Sequence, residues 1–220
     1  WMSFILNLET SSQNCSVSLS SKGKLIDLIE SEDENYRHSE LLTTSIQDIL
    51  SKNNLNVKSL DAISVGIGPG SFTGLRIGLS VSKGLCYPHN INLIGISTLK
   101  ILANSVNPVT DNIVCLINDK GNYFYMSKYN SDLEELIPPK IQLIDKEFID
   151  KTINESTSII VNTDSAYSYI SDISDKDLKL DKHVISSSNM IELSQKAFDK
   201  KIFEDIAYVE PMYIKKPYVN

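Results

Sequence analysis

The sequence predicts an α/β protein with two lobes, of which the second is reduced. A chain of 220 residues is long for one minimal domain and short for two full ones. Short apolar strands alternate with segments of helical periodicity, and these elements become shorter and more polar in the second half. We therefore expect a first lobe over residues 1–104 and a smaller, degenerate second lobe with a C-terminal tail over residues 105–220.

The first three elements are predicted to be short strands that form an antiparallel meander. Apolar alternation places them at 4–8, 15–20 and 25–30, with turn-forming residues between them. A helix is predicted over 39–51, where apolar residues recur on one helical face. A buried strand, a glycine-proline elbow, a helix, a strand and a short helix then follow, at 62–66, 68–71, 73–87, 93–97 and 99–104.

The second half repeats this arrangement in outline. A hairpin is predicted over 113–118 and 124–129, and three more strands and a helix are predicted near 141–144, 159–161, 183–186 and 189–201. Three strands followed by alternating helices and strands is the order of a ribonuclease H-like lobe. The predicted architecture is therefore the actin-like ATPase (ASKHA) fold, which is built from two such lobes.

The helix predicted over 73–87 is apolar or small on every side. Gly74, Gly78 and Ser82 form a stripe with almost no side chain. A helix of this kind must be covered on two sides, and small residues let a second backbone approach closely. We interpret the second cover as another protein, so that a bulky residue at Gly78 abolishes pairing and leaves the lobe folded.

The alternative is tight packing of this helix on the chain's own sheet. Glycine inside a helix costs about 1 kcal/mol relative to alanine, so Gly74, Gly78 and Gly84 together need a packing reason. Their spacing does not choose between a contact within the chain and a contact with a partner.

Charge is distributed unevenly along the chain. The net charge is -7, yet the segment 62–110 contains no Asp or Glu. Such a segment can meet an acidic partner or a phosphate, or it can be buried within the chain. The negative total opposes a purely electrostatic hold on nucleic acid. Arg37 and Arg76 are the only arginines, and each can make a bidentate contact that lysine cannot replace.

The motifs of common catalytic sites are missing. The elbow has the spacing G-x-G-x-x-x-G, which fits neither a dinucleotide fingerprint nor a P-loop, and it is not a G-x-S-x-G nucleophile turn. The three histidines do not share a metal-ligand spacing, and the three cysteines lie far apart in apolar runs, as free thiols do. We expect no metal and no cofactor. The strand that follows Met2 directly indicates no signal peptide and a cytoplasmic location.

Several segments together resemble one protein family. The elbow and helix start at 68–78, Gly-Pro-Gly-Ser-Phe-Thr-Gly-Leu-Arg-Ile-Gly, resemble the signature of the TsaB (YeaZ) family of tRNA threonylcarbamoyladenosine biosynthesis proteins. The segments 6–11, 38–40, 95–99 and 210–215 are similar to the family's opening strand, first helix start, lobe-closing strand and C-terminal ending.

The resemblance implies an actin-like fold that has lost its catalytic equipment. Such a protein is a noncatalytic scaffold: it binds a TsaD-like catalytic subunit, helps to recruit a TsaE-like ATPase, and meets tRNA only indirectly through the complex, with no role at a membrane. The resemblance also implies that the first two helices form the contact with the catalytic subunit, or with a second copy in a homodimer. Carried onto this chain, the partner-binding residues are Leu42, Ile46, Gly74, Leu75, Gly78, Leu79 and Ser82.

Further candidates come from the residue types themselves and from the resemblance. Arg37, His38 and Arg76 are expected at the interface. Glu9, Thr10 and Ser11 are expected to form a vestigial phosphate loop, in which Glu9 replaces the family's usual aspartate. The alternatives are an ATP-dependent enzyme, a glycoprotease-like peptidase or small-molecule kinase that keeps an actin-like nucleotide cleft, and a self-contained homodimer without a catalytic partner.

Overall fold

The structure is a computed structural model that describes residues 3–32, 38–107, 110–175 and 177–214. The chain folds as two units, and each unit contains one five-stranded mixed sheet. Of the described residues, those up to 101 and those from 185 to 212 form the first unit, and the others form the second. The expectation of one lobe over 105–220 therefore needs correction, because a C-terminal segment returns to the first unit.

The sheet of the first unit has the strand order β3-β2-β1-β4-β5. Strands β1, β2 and β3 are antiparallel neighbours, and β4 and β5 continue the sheet parallel to β1. The strands span Phe4–Glu9, Asn14–Ser21, Lys24–Glu32, Ala62–Gly68 and Asn92–Ser97, and the helices α1, α2 and α3 span His38–Lys52, Phe72–His89 and Thr98–Ala103. Each of these elements lies within about two residues of its predicted position.

The two faces of this sheet differ in chemistry. One face carries the apolar residues of β1 and β2, among them Leu6 and Val17, and packs in the core with α1 and α2. The other face carries buried polar residues, including Asn7 and Ser16. Ser16 shares a hydrogen bond with Ser187 (Oγ to Oγ, 2.7 Å). The returning segment therefore supplies the partners that these buried polar groups need.

The second sheet repeats the first in its strand order, β8-β7-β6-β9-β10. Its strands span Asn112–Lys120, Tyr123–Asn130, Glu135–Leu143, Thr157–Val161 and Lys179–Lys182, and its helices α4 and α5 span Lys146–Thr152 and Asp164–Ile173. The unit is reduced in its helices, which have 7 and 10 residues against 15 and 18 in α1 and α2. Helix α6, Ile191–Asp199, belongs to the first unit.

Two sequence expectations for the second half were wrong or incomplete. The final strand is Lys179–Lys182 and not 183–186, because a short edge strand with mostly exposed, charged side chains lacks apolar alternation. Helices α4 and α5 were not predicted. Each begins at a side-chain cap, Asp145 and Thr163 respectively, which is the signal that could have located it.

Candidate functional site

The elbow between β4 and α2 is shaped by its glycines and capped by a serine. Gly68 has a φ of +107°, a left-handed value that favours glycine. A Cβ atom on Gly68 would lie 2.9 Å from Leu75 Cδ1. Ser71 is the N-cap of α2, and its hydroxyl accepts a hydrogen bond from the Gly74 N–H at 3.3 Å. The elbow therefore fixes where α2 begins.

The loop after β1 is closed against this elbow by hydrogen bonds within the chain. The Ser71 N–H donates to the Ser11 carbonyl at 2.7 Å. The Thr10 hydroxyl donates to the Gly74 carbonyl at 2.8 Å, and the Ser11 N–H donates to Glu9 Oε1 at 2.6 Å. These bonds occupy the Ser11 N–H, the Ser11 carbonyl and the Thr10 hydroxyl, whereas Glu9 Oε2 and Ser11 Oγ are buried without a hydrogen-bond partner among the described residues.

Glu9 is buried inside this closed loop. Its side chain lies over Gly66, where a Cβ atom would be only 2.1 Å from Glu9 Oε2. Burial raises the pKa of Glu9 above its ordinary value, and the hydrogen bonds from Ser11 and Thr10 act in the opposite direction. A phosphate site presents free N–H donors at an open loop. The loop of Glu9, Thr10 and Ser11 does not fit a phosphate group, because the Ser11 N–H already donates to the Glu9 carboxyl.

The stripe of small residues on α2 faces the same loop. A Cβ atom on Gly74 would lie 1.9 Å from the Thr10 carbonyl oxygen, and one on Gly78 would lie 2.5 Å from the Thr10 hydroxyl oxygen. The Ser82 hydroxyl donates to the Gly78 carbonyl at 2.8 Å. The interpretation that a second protein covers this stripe was wrong, since the backbone and side chain of Thr10 in the same chain make the close approach.

The residues expected to bind a partner lie behind the surface of the first unit. Helix α2 buries five of them, and α1 buries the other two, so all seven are buried: Leu42, Ile46, Gly74, Leu75, Gly78, Leu79 and Ser82. Arg37 lies outside the described residues. His38 is the first residue of α1. The seven residues support the outward surface and do not form it.

The outward face of α2 carries a different set of side chains. Phe72 and Tyr87 are 47% and 81% exposed, and the Arg76 guanidinium carbon lies 3.8 Å from the centre of the Phe72 ring. Between these ends lie the exposed Thr73, Ser80 and Gly84. The half-buried Ile77, Val81 and Leu85 flank them and also pack against the core of the first unit. Within the described chain, nothing lies within 4 Å of a Cβ atom built on Gly84. We call Phe72, Arg76, Ile77, Val81, Gly84, Leu85 and Tyr87 the outer face.

The described residues hold no second site of an obvious chemical kind. No group of three or more His, Cys, Asp or Glu side chains within them could hold a metal ion. The three cysteines are free and buried, as predicted, and burial raises the pKa of Cys15 to about 11 and that of Cys86 to about 12. Thiols with such pKa values remain protonated at neutral pH and are poor nucleophiles. No helix in the described ranges is long and apolar enough to cross a bilayer.

Two sheets with the same strand order, carried by one chain, define the class: an α/β protein with the actin-like ATPase fold. A solved structure titled "YeaZ from Pseudomonas aeruginosa" has this fold with a TM-score of 0.81 and 20% sequence identity, covering 96% of this chain and 100% of that one. The similarity extends over both units, so the predicted fold is confirmed.

Sequence comparison then gives the family. The profile described as "TsaD: tRNA N6-adenosine threonylcarbamoyltransferase" matches residues 32–220, and the chain belongs to this family. Proteins named "tRNA threonylcarbamoyladenosine biosynthesis protein TsaB" are similar to it. The Haemophilus influenzae protein is 26% identical over 96% of this chain and 93% of its own length, and the Escherichia coli K12 protein is 31% identical over 58% of this chain and 55% of its own length. The predicted resemblance to TsaB (YeaZ) is confirmed.

Proposed function

We propose that this chain is a noncatalytic subunit in the synthesis of N6-threonylcarbamoyladenosine in tRNA. It binds and activates a TsaD-type transferase and helps to recruit a TsaE-type ATPase. The family match and the names of the TsaB relatives support the pathway. The observation that carries the partner role is the outer face of α2, where Ile77, Val81 and Leu85 stay partly exposed although they pack against the core, and where a Cβ atom on Gly84 would meet nothing within 4 Å among the described residues.

Gly84 marks the place of closest approach on this surface. It lies inside a helix, where glycine costs about 1 kcal/mol relative to alanine, and the described chain gives it no packing reason. A helix of a partner could approach the α2 backbone there, as small residues allow. Helices α1 and α2 together could contribute to an interface of roughly 1,600 Å² in total, the usual size of a stable complex.

The composition of the outer face suits an acidic partner. It contains no carboxylate, and Arg76 lies at its beginning with Lys83 beside Gly84 in the sequence. Opposite charges at the rim of an interface accelerate association and help to orient the partner. A second copy of this chain is the other candidate occupant.

The closed loop supports a noncatalytic role. An ATP-dependent enzyme needs donors that hold the phosphates, and here the Ser11 N–H donates to Glu9 while the Thr10 hydroxyl donates to the Gly74 carbonyl of α2. Calorimetry of the isolated chain with Mg²⁺ and ATP tests this point. We expect no binding, and tight Mg²⁺-dependent binding would favour the alternative of a peptidase or kinase.

The partner role is tested by Gly84→Leu, measured as affinity for a TsaD-type protein from the same organism. We expect a loss of at least tenfold, because a leucine side chain prevents close approach at the centre of the outer face. Ser168→Leu is the matched control, since Ser168 is exposed on α5 in the second unit. Unchanged affinity of the Gly84→Leu variant would contradict the proposed surface.

The same measurement separates the two occupants. Light scattering of the isolated chain gives its oligomeric state, and adding the TsaD-type protein shows whether a heterodimer replaces a homodimer. A homodimer that persists with the TsaD-type protein in excess would favour the self-contained alternative.

A further inference from the structure

Residues 202–212, which we call the strap, follow α6 without forming a helix or a strand. Backbone hydrogen bonds nonetheless hold the strap at two points. The Glu204 N–H donates to the Leu93 carbonyl of β5 at 2.8 Å, and the Met212 N–H donates to the Ile67 carbonyl of β4 at 2.7 Å. A segment fixed to two neighbouring strands in this way has a defined path over the first unit.

The path of the strap leads from one face of the first sheet to the other. On the polar face, the Ser194 hydroxyl of α6 donates to Asn7 Oδ1 at 2.7 Å. On the apolar face, Ile206 and Val209 pack in the core together with α1 and α2. Since β5 is the edge strand of this sheet and Glu204 bonds to it, the chain passes around that edge.

A turn at Asp205 sets the direction of the strap. Asp205 Oδ1 accepts from the Ala207 N–H at 2.9 Å, and the Asp205 carbonyl accepts from the Val209 N–H at 2.8 Å. The turn directs Val209 inward, where it is 9% exposed, and leaves Tyr208 outside at 82% exposure. Asp205 thus positions Val209 in the core, although Asp205 itself stays outside the core.

The strap ends against the elbow that begins α2. The Met212 carbonyl oxygen lies 3.4 Å from the position of a Cβ atom on Gly68, and Leu75 Cδ1 lies 2.9 Å from the same position. Leu75 is in the first turn of α2. The end of the strap, the elbow and the first turn of α2 therefore pack at a single point.

We propose that the strap is a positioning element for α2, which holds the elbow and the first turn of the helix in place. Its consequence for binding rests on the function proposed above: if the outer face binds a partner, loosening the strap weakens binding even though no strap residue belongs to that face. Phe72 and Arg76, which lie in the first turns of α2, are the outer-face residues most affected.

The test is amide hydrogen exchange of the full-length chain with Asp205→Ala and, separately, Val209→Ala. We expect exchange at residues 66–78 to become at least tenfold faster, while the strands of the second unit exchange at the wild-type rate. Tyr208→Ala is the matched control, because this side chain lies on the same turn and points outward. Unchanged exchange at residues 66–78 in both variants would overturn the proposal.

Binding to the TsaD-type protein is measured on the same variants and separates the two proposals. Weaker binding by Asp205→Ala and unchanged binding by Tyr208→Ala are expected. If the wild-type chain does not bind the TsaD-type protein, the proposed function fails, whereas the exchange result still decides the role of the strap. If the wild type binds and Asp205→Ala accelerates exchange without weakening binding, the link from strap to outer face is refuted.

Discussion

Two sides of α2 carry glycine, and the comparison between them shows what glycine spacing can and cannot reveal. Gly74 and Gly78 on the inner side are in close contact with Thr10 of the same chain, whereas a Cβ atom on Gly84 of the outer face would meet nothing within 4 Å among the described residues outside its own helical turn. In sequence the three positions look alike. A glycine inside a helix indicates that another group packs closely against the helix backbone. Only the three-dimensional structure shows whether that group belongs to the same chain.

The sharpest test of this comparison is a large side chain on the inner side. Gly74→Leu places its Cβ atom where the Thr10 carbonyl oxygen now lies, so the loop must move. We expect the free energy of unfolding to fall by about 3 kcal/mol, measured by urea denaturation. The same substitution at Gly84 is the control and should not destabilise the chain. Equal losses at the two positions would remove the distinction between the two sides.

The contacts of the inner side also change the expected outcome of a bulky substitution at Gly78. A bulky residue there was expected to abolish pairing and leave the lobe folded, but its Cβ atom would lie 2.5 Å from the Thr10 hydroxyl oxygen. Any loss of pairing by such a variant would therefore follow from damage to the fold.

A smaller effect of opposite sign is expected on the outer side. Gly84→Ala adds a methyl group in open space and restricts the unfolded chain. The free energy of unfolding should rise by about 1 kcal/mol, as for alanine in place of glycine inside a helix. Gly78→Ala, measured in the same denaturation series, should destabilise. If Gly84→Ala lowers stability, the outer face has a contact within the chain.

The smallest effect on the free energy of unfolding is expected from Glu9→Gln. In acidic solution the variant and the wild type should differ little, and the difference should grow as the pH rises. Burial raises the pKa of Glu9 in the folded chain. The protonated Glu9 side chain therefore stabilises the fold fully at a pH below the unfolded-state pKa, and this stabilisation is lost as the pH rises through the folded-state pKa. Glutamine stays neutral throughout. Unfolding curves from pH 4 to pH 8 should show Glu9→Gln gaining on the wild type, and parallel curves would indicate an ordinary pKa.

The first unit was predictable because its local signals agree with its tertiary structure. Apolar alternation located β1 and β2, and the glycine-proline elbow located the start of α2 to within one residue. The elbow and helix sequence at 68–78, together with four shorter segments, also identified the family. The structure of such segments is determined by contacts between residues that are near in sequence. Where the contacts are distant in sequence, a family motif can still identify the segment.

The remainder depends on contacts that are distant in sequence. Ser16, Ser18 and Ser20 alternate with apolar residues along β2, a pattern typical of a strand with one solvated face. All three are buried, and Ser16 and Ser18 bond to Ser187, about 170 residues away. Nothing near β2 in the sequence indicates this cover. Of the outer face only Arg76 was expected at an interface, since periodicity cannot say which side of an apolar helix meets the chain's own sheet.

The return of residues 185–212 to the first unit has a consequence for biosynthesis. During translation, β1 to β5 leave the ribosome long before the segment that covers the polar face of their sheet and wraps its β5 edge. This unit is therefore complete only after residues 185–212 have been synthesised. A product of premature termination near residue 180 would expose an open sheet edge and an uncompensated row of serines, and we expect cellular proteases to remove it before it could occupy a binding partner.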